Sequence, residues 1–328
     1  MHRRDFVRLM GATSLGTALF GGSVLAQSNY PSSPIRLIVP YAPGGVVDAV
    51  ARNWADKVRD QLGAVAVENQ GGGGGTIGAA LVSRAKPDGY TLLFGDTSCE
   101  VIAPSLLKQP SYDPTKDFEA ISLVATSSTA IVVHPSVPAT TLKEFIAYAK
   151  QNQEKLSYAS AGVGTVTHLA GESFKQLIDA PKITHIPYRG AGPGLIDLIG
   201  GVVPMMTPNV TSQVLGFHRA GKVRILAVCA PAPLKAAPEI PTASETLPGL
   251  VVQLTCGVFA PAGASGEIVK TVAEATASAI ANPDFDRILQ AAGLEARADL
   301  GPDKAKSFWT AERQHLLPII KAAGLEPQ

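Results

Sequence analysis

The sequence predicts an α/β protein built as two lobes, and three features carry that expectation. Apolar runs at residues 37–39, 91–94, 130–133 and 225–228 are continuous rather than alternating, the pattern of strands covered on both faces. Between them, Val47, Val50, Trp54 and Val58 share one helical face, and Val166, Leu169, Ala170, Phe174, Leu177 and Ile178 share another. Strand and helix patterns therefore alternate, as in α/β sheets that bind ligands at the carboxyl ends of their strands. The third feature is a doubled loop. Pro40-Tyr41-Ala42-Pro43-Gly44-Gly45 and Ser160-Ala161-Gly162-Val163-Gly164-Thr165 each end a strand pattern and open a helix pattern, roughly a domain's length apart. Glycine lets backbone N–H groups approach a ligand, and a helix start offers unpaired donors and the positive end of the macrodipole. Each loop is half of an anion site, and the pair reads as a clamp.

Taken in order, the chain opens with Arg3-Arg4 and Phe6 ahead of an apolar, small-residue stretch from Leu9 to Leu25, closing on Val24-Leu25-Ala26. Residues 1–26 read as an export signal of the twin-arginine pattern, cleaved after Ala26. The apolar run is short and glycine-rich for a membrane anchor, and no cysteine stands near the cut for lipidation, so a soluble periplasmic protein is expected. About 300 residues remain, enough for two cores. Lobe one is expected over residues 28–125, with a helix over 77–85 after the glycine run. The apolar stretch 121–133 passes into lobe two, residues 126–251. Residues 234–250, with Pro238, Pro241 and Pro248, lack a long periodic pattern and read as an extended connector. Residues 252–328 return to lobe one, with helices over 268–281, 284–292 and 304–323.

Lys and Arg number 28 against 27 Asp and Glu, a net charge of +1, which argues against nucleic acid or a membrane surface as the main partner. Aromatic residues are 6% of the chain, so stacking platforms for bases or sugars are scarce. Cys99, Cys229 and Cys256 form no CxxC pair and read as buried free thiols.

The strongest competing motif is Gly73-Gly74-Gly75-Thr76-Ile77-Gly78, a GxGxxG match with Asp96 near the place of a ribose-binding acid. It would make the protein an exported NAD(P)-dependent oxidoreductase. Against it, residues 68–72 separate the strand pattern from the motif, and five successive glycines match many patterns by chance. A turn into the following helix is the plainer role. Ser160 fails the GxSxG pattern, and no P-loop or HExxH occurs. His168 and His185 lack partners at metal-ligand spacing and read as structural; no metal or cofactor is expected. Asp48, in the first turn after Gly45, reads as a cap, because two negative groups would repel.

The ordered motifs Pro34-Ile35-Arg36-Leu37-Ile38-Val39-Pro40, Ala42-Pro43-Gly44-Gly45 with Asp48, Ala51 and Arg52, Glu68-Asn69, Gly74-Gly75-Thr76-Ile77-Gly78 and Lys86-Pro87-Asp88-Gly89-Tyr90-Thr91-Leu92-Leu93 resemble one family. In the second half, His168-Leu169-Ala170-Gly171-Glu172, Ile186-Pro187-Tyr188-Arg189-Gly190, Asp197-Leu198-Ile199-Gly200-Gly201 and Pro241-Thr242 with Glu245 extend the match. The family is that of the Bordetella uptake gene receptors, periplasmic solute-binding proteins of tripartite tricarboxylate transporters. The resemblance implies a type II periplasmic binding protein fold, with two hinged lobes closing on a small organic acid and membrane permease subunits as partners. Carried over, the carboxylate grip falls on Gly44, Gly45 and Val46 and on Gly162, Val163, Gly164 and Thr165. Thr255-Cys256 before Gly257, where relatives usually carry a tryptophan, and Pro204 and Pro208 around Met205-Met206-Thr207 depart from the pattern.

Tyr41, Thr97, Ser98 and Asn209, at expected strand ends, are the candidate specificity residues, Ser160 is a further ligand-binding candidate, and Arg189 is a candidate for a second carboxylate. The expected protein is a monomer that is no enzyme and takes no nucleic acid. A ligand-presenting component of a sensor system would use the same site.

Overall fold

The computed structural model describes residues 30–327, so the expected export signal lies outside the described residues. Eleven strands run through the described part: β1 (Ile35–Val39), β2 (Val65–Asn69), β3 (Thr91–Asp96), β4 (Phe118–Ser128), β5 (Ala130–Val133), β6 (Ser157–Ser160), β7 (Thr184–Pro187), β8 (Met205–Met206), β9 (Arg224–Val228), β10 (Gln253–Pro261) and β11 (Glu295–Ala296). They form one sheet in the order β11-β4-β10-β3-β1-β2 and a second in the order β7-β6-β8-β5-β9. This is the two-lobed α/β architecture that the alternating patterns predict.

Burial explains why the continuous apolar runs are strands. Leu37, Ile38 and Val39 of β1 and Leu92, Leu93 and Phe94 of β3 are wholly buried, which suits strands with helices on both faces. β1 pairs in parallel with β2 and β3, placing Leu37 opposite Val67 and Leu92. Antiparallel β10 is wedged between β3 and β4, because this strand returns from the second sheet. Trp54, on the helix Val46–Lys57, lies 6.0 Å from Phe94 between ring centroids and donates Nε1–H to Thr276 Oγ1 at 3.2 Å. In the second lobe Val132, Ala159, Leu198, Met206 and Val214 share one core.

The two passages between sheets lie side by side. Thr129, between β4 and β5, donates its N–H to the Val252 carbonyl at 3.1 Å and its hydroxyl to the same oxygen at 2.9 Å. Val252 in turn donates to the Cys229 carbonyl at 3.0 Å. Paired crossings of this kind make a hinge that can bend without breaking either sheet.

Helix positions follow the sequence periods, with ends shifted by a residue or two. The expected helices appear as Thr76–Ser83, Gly266–Ala281, Pro283–Ala291 and Pro302–Ala322. The connector is interrupted by a short turn, Ala243–Glu245, closed by a capping box in which Thr242 and Glu245 exchange hydrogen bonds. Cys99, Cys229 and Cys256 are buried and free. Among the described residues no helix is long and apolar enough to cross a membrane.

Candidate functional site

The two loops that open the helices Val46–Lys57 and Val166–Leu177 belong to opposite sheets, and the fold brings the second against the first lobe. Val166 donates its N–H to Ser98 Oγ at 3.2 Å, joining the start of the second helix to the residues just after β3. Glycine makes this approach possible. Gly164 has φ +80°, and a Cβ there would stand 2.9 Å from Cβ and 3.1 Å from Cα of Ala103. Gly74 has φ +65°, and its Cβ would stand 2.8 Å from the Val163 carbonyl oxygen. Both positions combine a left-handed backbone with contact between lobes, so no side chain fits.

In the first loop, Gly45 stands at the N-cap and offers no side-chain cap to the helix. The N–H groups at this helix start thus lack a capping side chain. Gly44 is exposed, and its N–H is taken by Asp48 Oδ2 at 2.9 Å. Asp48 is buried and also accepts from Asn69 Nδ2 at 2.8 Å and pairs with Arg52 at 2.9 Å. Burial pushes this carboxyl up, but the bonds from Arg52, Gly44 and Asn69 outweigh it and hold Asp48 below the ordinary carboxylate value. Asp48 therefore fixes the loop, as its first-turn position predicts.

Half-buried Tyr41 donates its hydroxyl to Asp96 Oδ1 at 2.6 Å, and the same oxygen accepts from Ser98 N and Cys99 N at 3.0 and 3.1 Å. Thr97 is buried, its Oγ1 accepting from Thr255 N at 2.9 Å. The sequence signals missed Asp96 in this setting, because its Tyr41 partner is remote along the chain.

The second loop is tied internally. Ser160 Oγ bonds His185 Nε2 at 2.7 Å and accepts from Gly162 N at 3.1 Å. Thr165 Oγ1 accepts from His168 N at 3.3 Å and donates to the Gly162 carbonyl at 2.7 Å. Gly164 donates its N–H to His168 Nδ1 at 3.4 Å, whereas Val163 is 50% exposed at the loop tip. Asn209 is buried beside the hinge, bridged to Thr129. Arg189 is exposed and stands apart from these contacts, following β7.

One sequence reading needs correction. His168, Glu172 and His185 do converge, with one ligand-type atom from each within 4.8 Å of the others. The spacing along the chain hid this because β7 brings His185 across to the helix. The arrangement is nevertheless poor for a cation: Lys175 Nζ lies 3.0 and 2.9 Å from the two Glu172 oxygens, and Tyr158 donates to Oε1 at 2.6 Å. The imidazoles stack at 4.2 Å and 18°, which runs their in-plane lone pairs side by side rather than toward one point. Burial, then His168 and Lys175, pushes His185 down to about 3, and burial chiefly lowers His168, so this pocket disfavours the charged imidazolium.

The chain is similar to known proteins over most of its length. The profile of the tripartite tricarboxylate transporter family receptor matches residues 50–325. The solved periplasmic binding protein BugD is 33% identical, the match covering 91% of this chain and 100% of that one with a TM-score of 0.85. MatC (Rpa3494) from Rhodopseudomonas palustris with bound malate is 29% identical, covering 89% and 100% with a TM-score of 0.83. R. palustris Rpa4515 with adipate is 28% identical, covering 91% and 100% with a TM-score of 0.86.

Proposed function

This chain belongs to the tripartite tricarboxylate transporter receptor family, and from that premise we propose that it captures a small organic carboxylate between its lobes and delivers it to the permease subunits of such a transporter. It is a solute-binding protein rather than an enzyme, which removes the dinucleotide reading of Gly73, Gly75 and Gly78. These glycines instead have φ +58° and +98° at the turn, and Gly78 packs so closely that a Cβ would stand 2.8 Å from Pro40 Cα.

The observation that carries the proposal is that the second strand-to-helix loop meets the first lobe just after β3, at the Ser98–Val166 contact, while the first loop opens an uncapped helix start at Gly45 in that same lobe. A carboxylate there would receive charge-assisted hydrogen bonds of about 1.5–3 kcal/mol net each, so a few donors offset much of the cost of association. The malate and adipate held by the two R. palustris proteins support the ligand class. Candidate grip residues are Gly45 and Val46 on one side and Val163 on the other, with Gly44, Gly162, Gly164 and Thr165, whose donors are bonded within their own lobes, shaping the two loops. Export through residues 1–26 would place the receptor in the periplasm.

Melting the export-processed protein with a panel of organic acids and their amides tests the reading. An acid at a hundred times its dissociation constant should add about 2.7 kcal/mol of stability, and its amide none. Stabilisation by NAD but by no acid would overturn the proposal.

A further inference from the structure

Arg189 stands on the turn between β7 and the helix Ala191–Ile199, and its neighbours tie that turn to the second loop. Tyr188 donates its N–H to the Ser160 carbonyl at 3.1 Å, and Gly190 donates its own to the Ala161 carbonyl at 3.1 Å. A Cβ on Gly162 would stand 3.1 Å from the Tyr188 carbonyl oxygen, so the two stretches lie against each other. The Arg189 side chain is exposed and, among the described residues, enters no ion pair. Around it charge is scarce. Segments 37–47, 69–83 and 156–171 contain no Asp, Glu, Lys or Arg, although such residues make up 17% of the chain. These stretches adjoin where the lobes meet: a Cβ on Gly71 would stand 3.0 Å from the Ala42 nitrogen, and one on Gly74 would stand 2.8 Å from the Val163 carbonyl oxygen.

The acids on the elements around the loops are withdrawn or engaged. Asp48 is buried and paired with Arg52, Glu172 is paired with Lys175 at 2.9 Å, and Asp96 is 1% exposed with its Oδ2 unpartnered. Asp197, beyond the first turn of the following helix, accepts from the Tyr188 hydroxyl at 2.6 Å. The chain as a whole is nearly neutral, at +1, and sets up no strong field of its own. An unpaired guanidinium beside an uncharged loop is therefore the local source of attraction for an anion. Exposure limits what this charge can do: in solvent, screening and lost side-chain freedom offset most of the gain from a contact ion pair. The same charge still raises the rate at which opposite charges arrive. Resting on carboxylate capture between the lobes, we infer that Arg189 steers the anionic solute to the second loop and sets the rate of capture, leaving the grip to the loop backbone. Steering needs only charge, so lysine serves as well as arginine; a bidentate hold on a second carboxylate would need the guanidinium fork.

Stopped-flow fluorescence of the export-processed protein, mixed with whichever of malate, adipate and succinate binds most tightly, reads association and dissociation separately. The wild-type association rate should fall as ionic strength rises from about 0.01 M to about 1 M, where the screening length shrinks from about 30 Å to about 3 Å. Arg189→Gln should associate about three- to fivefold more slowly than wild type at the low end and within about twofold of it at the high end, with dissociation unchanged within about twofold. Arg189→Lys should restore the rate. Circular dichroism verifies folding, and the wild-type salt dependence decides even if a variant does not fold. A wild-type rate indifferent to salt, or an undiminished rate in folded Arg189→Gln at low salt, would overturn the steering and leave carboxylate capture standing. A loss that survives about 1 M salt, appears in dissociation or is not rescued by lysine would also overturn it, making Arg189 part of the grip. Failure of every acid in the melting panel to bind would overturn carboxylate capture and the steering with it.

Discussion

Gly164 shows how much a single residue carries at the meeting of the lobes. Its φ of +80° costs a side chain about 1–2 kcal/mol, and a Cβ would also press on the Ala103 backbone of the other lobe. Gly45 differs, because its nearest obstacle is the Ala42 carbonyl oxygen at 3.8 Å and its backbone is extended. Any role of Gly45 in binding must therefore come from space left for a ligand, not from its own conformation. Gly164→Val is expected to lower carboxylate affinity by tenfold or more with the far-ultraviolet spectrum retained, as measured by calorimetry and circular dichroism. Wild-type affinity in a folded Gly164→Val protein would show that this loop does not close on the ligand.

At the scale of elements, the helix Val166–Leu177 and strand β7 are coupled through the stacked rings of His168 and His185. Charged and titratable groups around the stack are Glu172 and Lys175 from the helix and Tyr158 from β6. Burial, then His168 and Lys175, lowers His185 to about 3, far below an unfolded imidazole. Between the ordinary histidine value and that lowered value the unfolded chain binds the proton and the folded chain does not, so stability contributed here falls as pH drops. Asp96, raised to about 6, works in the opposite sense by favouring the folded state on acidification. His185→Gln can keep the bond to Ser160 without titrating. The difference in melting temperature between wild type and His185→Gln should shrink as pH is lowered from 7 to about 4.5. A constant difference across that range would show that His185 does not titrate in this way.

For the whole molecule, the paired crossings at Thr129 and Val252 leave the lobes joined by few strands, and the contact at Ser98, Ala103, Gly74 and Gly164 holds them together. The helix Val166–Leu177 also meets the helix Pro302–Ala322, so the glycine-lined seam is one part of the surface on which the lobes meet. Gly74→Trp would place bulk against the Val163 carbonyl and Ala103. Small-angle scattering should show the wild-type radius of gyration falling on addition of the tightest-binding acid, with no such fall in Gly74→Trp. A variant that compacts as the wild type does would place the closing seam elsewhere.

Much of this was legible along the chain because its causes are local. Continuous apolar runs such as Leu37-Ile38-Val39 became buried strands, the Val47, Val50 and Trp54 spacing became a helix, and Asp48 in a first turn became the partner of the Gly44 N–H. The Thr242–Glu245 capping box was equally local, yet proline content around it pointed to an extended connector. The family motifs also lie in order along the sequence, so membership needed no coordinates. What the tertiary structure alone decided are the meetings between remote residues: Tyr41 with Asp96, Ser98 with Val166, His168 with His185, and the insertion of β10 between β3 and β4. Hydrophobic period and backbone preference act over a few residues and are written in the sequence. Which lone pair remains open on Asp96 depends on sheet order and on how two lobes meet, and those follow from packing the whole chain at once.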